Sequence, residues 1–317
     1  MSRRPPSPRV LCAGIAVRDF VFRVKALPPR GTKTNADQYF ELSGGNALNA
    51  AVGIVRLGGR ASYAGPIGDM ADINARHILD DLAREGIGYE GVVHVPGATT
   101  PLSSILLDAA GERTIATYRD PKLSQARCPD PGWLLDDCAI ICADNRYPTF
   151  TMDICTLARQ RNIPVLLDAD RAMPLGKGLL TISTHVIFSA EGLRTTTNID
   201  DPGEALRRIA GITHAFVGVT IGHNGMIWLD GNGAVRHMPS FEVETIDTLG
   251  AGDVFHGALA LAIAEGQDIL HAMRFASAAA ALKCTRLGGA FAAPLRKEVE
   301  ALLAQGVVQP AVSSRAP

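Results

Sequence analysis

Short apolar runs rich in β-branched residues alternate with longer segments of helical periodicity along most of the chain. The apolar runs predict strands, and the segments between them predict helices over residues 47–57, 73–84, 152–161 and 204–210. Because the strands lack clean polar alternation, they are typical of parallel strands that are buried on both faces. The pattern therefore predicts a doubly wound α/β fold with a mostly parallel sheet between helices.

Two segments, residues 20–42 and 91–118, have no convincing helix pattern. The second contains "SSILLDAAGERTIATY", which is typical of two strands joined by a glycine-containing turn. Since no helices of their own would cover these strands, we expect a small β-sheet that packs as a lid over the core. One domain is predicted over residues 9–307, and the Pro/Ser-rich ends, 1–8 and 308–317, are predicted to be flexible.

Composition narrows the class of partner. The 317 residues are 47% hydrophobic and 20% charged, with a formal net charge of −1, as in an ordinary soluble globular protein. Outside "MSRRPPSPR" no Lys/Arg cluster occurs, which argues against nucleic acid or a membrane surface and favours small molecules. The six cysteines form no C-x-x-C pair, and no uninterrupted signal segment is present, so we expect reduced cysteines in a cytoplasmic protein.

The stretch "IDTLGAGDVFHGAL" places Asp253 directly after Gly250, Ala251 and Gly252 and at the start of an apolar helix. One interpretation is structural, because the helix dipole stabilises a carboxylate in the first turn. The other is catalytic, because small residues leave backbone amides open to a phosphate or a developing anion. A carboxylate would repel that anion unless it has a separate task, and accepting the proton of an attacking hydroxyl is the task that fits.

Two motifs together resemble one known family. "DTLGAGDVFHGAL" resembles the C-terminal signature of the ribokinase-like (PfkB) carbohydrate kinases, and "SGGNALNAAVGIVRLGGRASYAGPIGD", residues 43–69, resembles their N-terminal glycine signature. The resemblance implies a ribokinase-like fold and transfer of the γ-phosphoryl group of ATP to a primary hydroxyl of a ketose or related sugar. It also implies Mg²⁺ and leaves room for a monovalent cation. An exposed apolar face on the small sheet would favour a homodimer formed through the lid.

The resemblance assigns roles to residues near the two signatures. Asp253 is implied as the catalytic base, with Gly250, Ala251 and Gly252 as the anion hole for the transferred group. Positions that hold sugar hydroxyls are implied at Asp19, at the end of the first predicted strand, and at Gly45, Asn46 and Asn49. The glycines have a structural alternative as turn residues, whereas a carboxylate within an apolar run, as at Asp19, needs a partner.

On the nucleotide side, "VGVTIGHNG" resembles the family's T-x-G-x-x-G turn and implies Thr220, Gly222 and Gly225 beside ATP. Ser277, in "FASAAAALKC", lies where a polar residue on the adenine side often occurs. A turn at the end of a strand and a small residue packed between helices are the structural alternatives for these positions.

The chain departs from the family in its N-x-x-E motif, which is associated with Mg²⁺ and phosphate. Here the motif is "SAEG": Ser189 replaces the Asn, Gly192 occupies the Glu position, and Glu191 stands one residue early as the candidate metal residue. Mg²⁺ is still expected, because the charge on a transferring phosphoryl group must be neutralised.

Within the family, "DVFHGALA", "RFAS", "ALKCTR", "TLARQ" and "FSAEGL" are most similar to kinases that act on 6-deoxy-6-sulfofructose. Two cations are also candidates for the substrate side, Lys33 in the lid and Arg146 after the core strand "CAIICAD". If they converge, they would suit a sulfonate, carboxylate or phosphate. The alternative is that each is a solvated surface charge.

Other functions remain alternatives. A neutral-sugar kinase of the fructose or ribose type would use hydrogen bonds alone. A non-catalytic regulatory relative would bind sugar or nucleotide, but the intact Asp253 and glycine run argue against it. A nicotinamide-dependent oxidoreductase is disfavoured, because "GAGDVFHG" has the wrong glycine spacing and follows the last predicted strands.

Overall fold

A large sheet, whose strands run from near the start of the chain to residue 238, organises the fold. The computed structural model describes residues 7–109 and 113–305, so the predicted flexible tails lie outside it apart from residues 7 and 8. Within these ranges the sheet is parallel except at β12 and β13. Its nine strands are ordered β13 (Val235–Met238), β12 (Met226–Leu229), β11 (Phe216–Thr220), β10 (His185–Ser189), β9 (Val165–Ala169), β8 (Cys138–Asp144), β1 (Arg9–Ala13), β4 (Arg60–Ile67) and β5 (Gly88–His94).

Helices cover both faces of this sheet, which confirms the predicted doubly wound arrangement. Val10 and Cys12 of β1 belong to one core cluster, whereas Leu11 and Ala13 belong to the other. No helix in the described ranges is long and apolar enough to cross a membrane. The helices are α1 (Asn46–Arg56), α2 (Ile73–Arg84), α3 (Pro148–Gln160), α4 (Leu179–Ile182), α5 (Ala190–Thr197), α6 (Pro202–Ala210), α7 (Ala251–Ala264), α8 (Ile269–Cys284) and α9 (Arg296–Gln305).

Aspartate caps explain where several helices begin. Asp72, Asp201 and Asp268 each accept a hydrogen bond from a backbone N–H in the first turn of α2, α6 and α8, respectively. Such a cap satisfies an amide that has no partner within the helix. Pro148 and Pro202 open α3 and α6, because a first-turn proline lacks only an N–H that would be unpaired there.

A second, four-stranded sheet lies apart from the first. Its order is β3 (Gln38–Gly44), β2 (Val17–Arg23), β6 (Leu102–Leu107) and β7 (Arg113–Tyr118). The predicted segments 20–42 and 91–118 contain most of it, but residues 91–94 belong to β5 and pair with β4 in the large sheet. β6 and β7 pair as the predicted hairpin. Residues 110–112 of its turn are outside the described part of the chain.

The apolar run "VLCAGIAV" is divided between the two sheets, which the periodicity did not predict. The chain leaves β1 at Gly14, whose φ of 153° and close approach to the Asp144 carboxylate exclude a side chain. Asp144 Oδ2 accepts a hydrogen bond from the Ile15 N–H at 2.7 Å. The chain then enters β2 at Val17. As a result Asp19 lies within β2 of the small sheet and not at the end of the first strand.

Close packing of α1 against α7 brings the two signature motifs together. A Cβ at Gly257 would collide with the backbone of Ala50, and one at Gly53 would lie 3.4 Å from the Cα of Val254. Glycine at both positions therefore lets the two helix backbones approach. Their N-terminal turns, which carry Asn49 and Asp253, come into hydrogen-bond contact.

Candidate active site

A cavity of about 480 Å³ lies where the ends of several parallel strands meet the small sheet. Asp168, Ser189 and Thr220 reach it from the carboxyl ends of β9, β10 and β11, the usual place for ligands in open α/β sheets. The N-terminal turns of α1 and α7 complete its wall. Of the residues predicted from the sequence, it is lined by Asp19, Gly45, Asn46, Asn49, Arg146, Thr220, Gly250, Gly252 and Asp253.

Asp253 lies in the first turn of α7 and faces the cavity. Asn49 Nδ2 donates a hydrogen bond to its Oδ2 at 2.7 Å. Burial, with the nearby Asp168 charge adding to it, raises the pKa of Asp253 to about 7, and the Asn49 hydrogen bond opposes this shift. A carboxylate with such a pKa can gain and lose a proton near neutral pH, as a general base must.

The start of α7 is open on the cavity side. Gly250 precedes the helix with a left-handed φ of 76°, and a Cβ there would lie 3.1 Å from the Ala290 nitrogen. A Cβ at Gly252 would meet no described atom within 4 Å, so an anion has room beside this turn. The Ala251 N–H donates to the Thr248 carbonyl at 3.2 Å, which engages one of the predicted anion-hole amides in a turn.

Asp19 is a buried part of the cavity wall, and its carboxylate lies so close to Gly44 that a side chain at Gly44 would collide with it. Burial raises its pKa to about 7, a hydrogen bond from Ser103 opposes the shift, and the Asp253 charge adds to it. The carboxyl groups of Asp19 and Asp253, which repel each other when both are ionised, therefore both have pKa values near 7.

Two further acidic residues, Asp168 and Asp170, lie at the carboxyl end of β9 and were missed by the sequence interpretation. Asn46 Nδ2 donates to Asp168 Oδ2 at 2.8 Å and to Asp170 Oδ2 at 3.2 Å. Burial, and then the charge of Asp170, raises the pKa of Asp168 far above its ordinary range. The run "PVLLDAD" contained a usable signal, since polar residues directly after a buried parallel strand reach the ligand edge of the sheet.

His256 is another missed residue and links this acidic group to α7. Its Nε2 lies 3.6 Å from Asp168 Oδ1, and its Nδ1 lies 2.7 Å from the Gly252 carbonyl oxygen. Burial lowers the pKa of His256, which favours the neutral ring with a proton on Nδ1 donated to that carbonyl. The ring therefore ties the first turn of α7 to the end of β9.

Several arginines line the cavity, but Arg146 is already paired. Its Nε donates to Asp170 Oδ1 at 2.9 Å and its Nη2 donates to Asp170 Oδ2. Arg119, just after β7, and Arg171, just after β9, face the same cavity. The Nε of Arg119 is buried with no hydrogen-bond partner in the described ranges. Burial, followed by repulsion from Arg146 and Arg171, lowers the pKa of Arg119.

Other predicted residues lie away from this cavity. Lys33 is exposed in the connection from β2 to β3 and is not among the lining residues, so the structure does not bring it to Arg146. Glu191 is exposed in the first turn of α5 and does not line the cavity either. At Gly192 a side chain would collide with the Ala169 carbonyl, which excludes the family's glutamate from that position. Ser189 instead caps α5 and lines the cavity.

Of the residues predicted to bind the nucleotide, only some lie at the cavity. Thr220 lines the cavity at the end of β11 and donates from Oγ1 to the Phe188 carbonyl at 3.3 Å. Gly222 and Gly225, with φ of 63° and 92°, form the adjoining turn, and a side chain at Gly225 would collide with the Met238 carbonyl. Ser277 is buried within α8 and is not a lining residue.

The donor set fits Mg²⁺ carried by a nucleotide better than a protein cage. The described residues contain no group of three or more His, Cys, Asp or Glu placed to hold a metal. Mg²⁺ usually takes only one or two carboxylates together with phosphate oxygens and water. Asp168 and Asp253 line the cavity and could supply that share. The exposed position of Glu191 does not suit this role.

Comparison with known proteins identifies the class as a sugar-phosphorylating enzyme. Residues 7–296 match the family model "pfkB family carbohydrate kinase". The ribokinase of Bacillus subtilis (strain 168) is 28% identical over 299 residues, which are 93% of this chain and 99% of the relative. Fructokinase-1 of Zea mays is 28% identical over an alignment of 326 positions that covers 93% of this chain and 97% of the relative.

A solved structure of a similar protein has the same fold as this chain. That of a putative ribokinase from Agrobacterium tumefaciens is 36% identical, with a TM-score of 0.88, and the match covers 94% of this chain and 98% of that one. The chain therefore belongs to the PfkB family of carbohydrate kinases, which are ATP-dependent phosphotransferases. The predicted ribokinase-like fold is confirmed.

Proposed function

We propose that this chain transfers the γ-phosphoryl group of ATP to a primary hydroxyl of a ketose or related sugar, with Asp253 as the base. The observation that carries this proposal is a buried carboxylate with a pKa of about 7 beside the open N-terminus of α7. The hydroxyl gives its proton to Asp253 while its oxygen bonds to the γ-phosphorus. The bond from that phosphorus to the β-phosphate bridging oxygen breaks, and ADP leaves.

The N-terminus of α7 stabilises charge in this step. Gly250 and Gly252 line the cavity at this helix end, where the dipole favours an anion, whereas the Ala251 N–H is engaged by the Thr248 carbonyl. Mg²⁺ bound with the nucleotide would neutralise phosphate charge. Asn49 has a separate role, because its Nδ2 holds the base and its Oδ1 is buried with no partner among the described residues. That unpaired acceptor supports a hydrogen bond from a substrate hydroxyl.

We further propose that the sugar carries a negative group at the end remote from Asp253. Support comes from the like-charged cluster of Arg119, Arg146 and Arg171 on one side of the cavity, whose mutual repulsion is opposed by the Asp170 carboxylate that pairs with Arg146. The sequence interpretation paired Arg146 with Lys33, whereas the geometry favours Arg119 as its companion. A sulfonate such as that of 6-deoxy-6-sulfofructose, a phosphate or a carboxylate would satisfy the unpaired Nε of Arg119.

A panel of acceptors tests the substrate proposal. ADP release is compared for sulfofructose, fructose 6-phosphate, 2-keto-3-deoxygluconate, fructose and ribose, with the wild type and with Arg119→Met. We expect an anionic ketose to have the highest kcat/KM and Arg119→Met to lower it roughly 10- to 100-fold, the loss of one charge-assisted contact. Arg159→Met, an exposed arginine on α3, is the matched control.

A neutral sugar preferred by a wide margin would overturn the anionic assignment. Equal loss on all substrates with Arg119→Met would do the same, because a selective anion contact cannot affect fructose and fructose 6-phosphate alike. Either result would leave the kinase assignment intact and favour the neutral-sugar alternative suggested by ribokinase and fructokinase relatives. Binding of ATP without turnover of any sugar would favour the regulatory alternative.

Three wider properties complete the proposal. We propose that residues 9–307 act as one kinase domain in which the small sheet closes over the cavity as a lid. We propose a homodimer through that sheet, supported by Tyr39 and Tyr118, whose exposed fractions are 51% and 53%. A cytoplasmic location is supported by the six cysteines, which are all free thiols.

A further inference from the structure

A charged pair lies beneath the cavity wall without lining the cavity. Lys283, in α8, is fully buried, and its Nζ lies 3.0 Å from Asp247 Oδ2. The same Nζ donates to the Asp247 backbone carbonyl at 2.7 Å. A buried ammonium is costly unless it is paired and hydrogen-bonded. An uncharged residue at position 283 of this alanine-rich helix would avoid that cost.

The pair joins two loops that shape the anion hole. Asp247 accepts from the Leu249 N–H at 2.8 Å and from the N–H groups of Gly288 and Gly289, each at 3.2 Å. The backbone N–H groups of residues 246 and 247 donate to the Cys284 carbonyl at the end of α8. These contacts hold residues 246–250, the segment that runs directly into α7. The pair thus fixes where α7 begins.

The ammonium also takes up oxygen ligands of the kind that a free cation would use. A carboxylate oxygen and a backbone carbonyl oxygen converge on Nζ, and both types coordinate hard cations. Neither oxygen needs an external ion while Lys283 is present. The charge is supplied by the chain itself and does not depend on the salt in solution.

Resting on the proposed kinase function, we propose that Lys283 is a positioning residue. Its ammonium acts as a built-in cation that holds residues 246–250, and hence the anion hole of α7, in the catalytic geometry. Two consequences follow. Turnover of the wild type does not require an added monovalent cation, and removal of the ammonium lowers kcat more than it changes the KM for ATP or sugar, because displaced amides weaken charge stabilisation in the transition state.

The test compares two substitutions at one position. Lys283→Ala removes the ammonium and leaves space, whereas Lys283→Met fills that space without charge. We expect both to lower kcat roughly 100-fold, the scale for misplacing catalytic groups by about 1 Å. Saturating K⁺ or n-propylammonium, which has the atoms missing from the alanine variant, should restore most of kcat in Lys283→Ala but not in Lys283→Met. Propan-1-ol, similar in shape but uncharged, should restore none.

A readout that needs no turnover separates this inference from the kinase proposal. K⁺ or n-propylammonium should raise the thermal midpoint of Lys283→Ala and leave those of the wild type and Lys283→Met unchanged at equal ionic strength. Lys297→Met, an exposed lysine on α9, is the matched control for both measurements. Wild-type kcat in Lys283→Met would overturn the inference, and so would a wild type that is inactive without K⁺ or an alanine variant that no cation stabilises.

Discussion

At the scale of single residues, the cavity concentrates carboxyl groups whose burial opposes ionisation. Burial raises the pKa values of Asp19 and Asp253 to about 7 and raises the pKa of Asp168 well above its ordinary value. Such shifts also occur in structural networks, so position decides the role. Asp253 alone of the three stands in the first turn of α7, where a phosphate would approach.

The first prediction concerns the base itself. Asp253→Asn keeps the size of the side chain and can still accept the Asn49 hydrogen bond through its amide oxygen. We expect the variant to fold and bind ATP but to lose roughly 10²- to 10⁴-fold in turnover, the range for a missing general base. Steady-state kinetics and ATP titration measure both properties. Near-normal turnover would show that Asp253 is only a first-turn helix carboxylate.

The pH dependence provides a second prediction. Because Asp253 must be ionised to accept a proton, kcat/KM should rise with pH through about 7 and then level off. The Asn49 hydrogen bond lowers the pKa of Asp253, so Asn49→Ala should move the midpoint to higher pH. The midpoint is independent of how much activity the variant retains. A midpoint unchanged by Asn49→Ala would contradict this electrostatic coupling.

The raised pKa of Asp253 also makes the stability of the folded protein depend on pH. Between the ordinary pKa of 3.8 and about 7, the folded state holds a proton on Asp253 that the unfolded state has lost. Stability therefore falls as pH rises through this window and remains lower above it. Asp253→Asn should be more stable than the wild type at pH 8, with the advantage gone near pH 4. Denaturant unfolding at both values measures the difference.

At the scale of elements, the site depends on how closely α1 and α7 approach. A side chain at Gly257 would collide with Ala50, so Gly257→Val should separate the helices and cost about 1–3 kcal/mol of stability. It should also lower kcat by moving Asp253 away from Asn49. Gly211→Ala after α6 is the control, since its Cβ would meet nothing closer than 3.6 Å. Unaltered stability in Gly257→Val would contradict the packing argument.

Periodicity predicted a helix or strand correctly where residues within or next to that element determine where it begins and ends. The helix predicted over residues 73–84 is α2, because its apolar spacing and its Asp72 cap are local. Periodicity did not predict the strand that contains Asp19. The chain enters the other sheet there because of the turn around Gly14 and its contact with Asp144, which the local pattern does not contain. Periodicity also could not pair Arg146 with Asp170, since that contact joins two strand ends that are adjacent only in the folded sheet.

At the scale of the whole molecule, the resemblance predicted the fold, which is confirmed, because the fold follows from two recognisable motifs; the role of Asp253 as the base stays a prediction. The resemblance did not predict the cluster of Arg119, Arg146 and Arg171, which arises where the small sheet meets the large one. We propose that substrate choice is decided at that junction. Contacts between separate sheets join residues that are far apart in the sequence, so a short motif does not describe them.

The last prediction concerns assembly through the small sheet. β7 is an edge strand with every residue exposed, and Ile115 and Tyr118 expose 43% and 53% of their surfaces. Unpaired backbone groups and apolar side chains on one edge favour pairing with a second copy. We expect a dimer at micromolar concentration by light scattering, and a shift toward monomer in Tyr118→Lys, which adds charge at that edge. Leu270→Lys, at an exposed site on α8, should leave the mass unchanged. A monomeric wild type would contradict the predicted dimer. Equal dimerisation of Tyr118→Lys and Leu270→Lys would show that the dimer contact lies elsewhere.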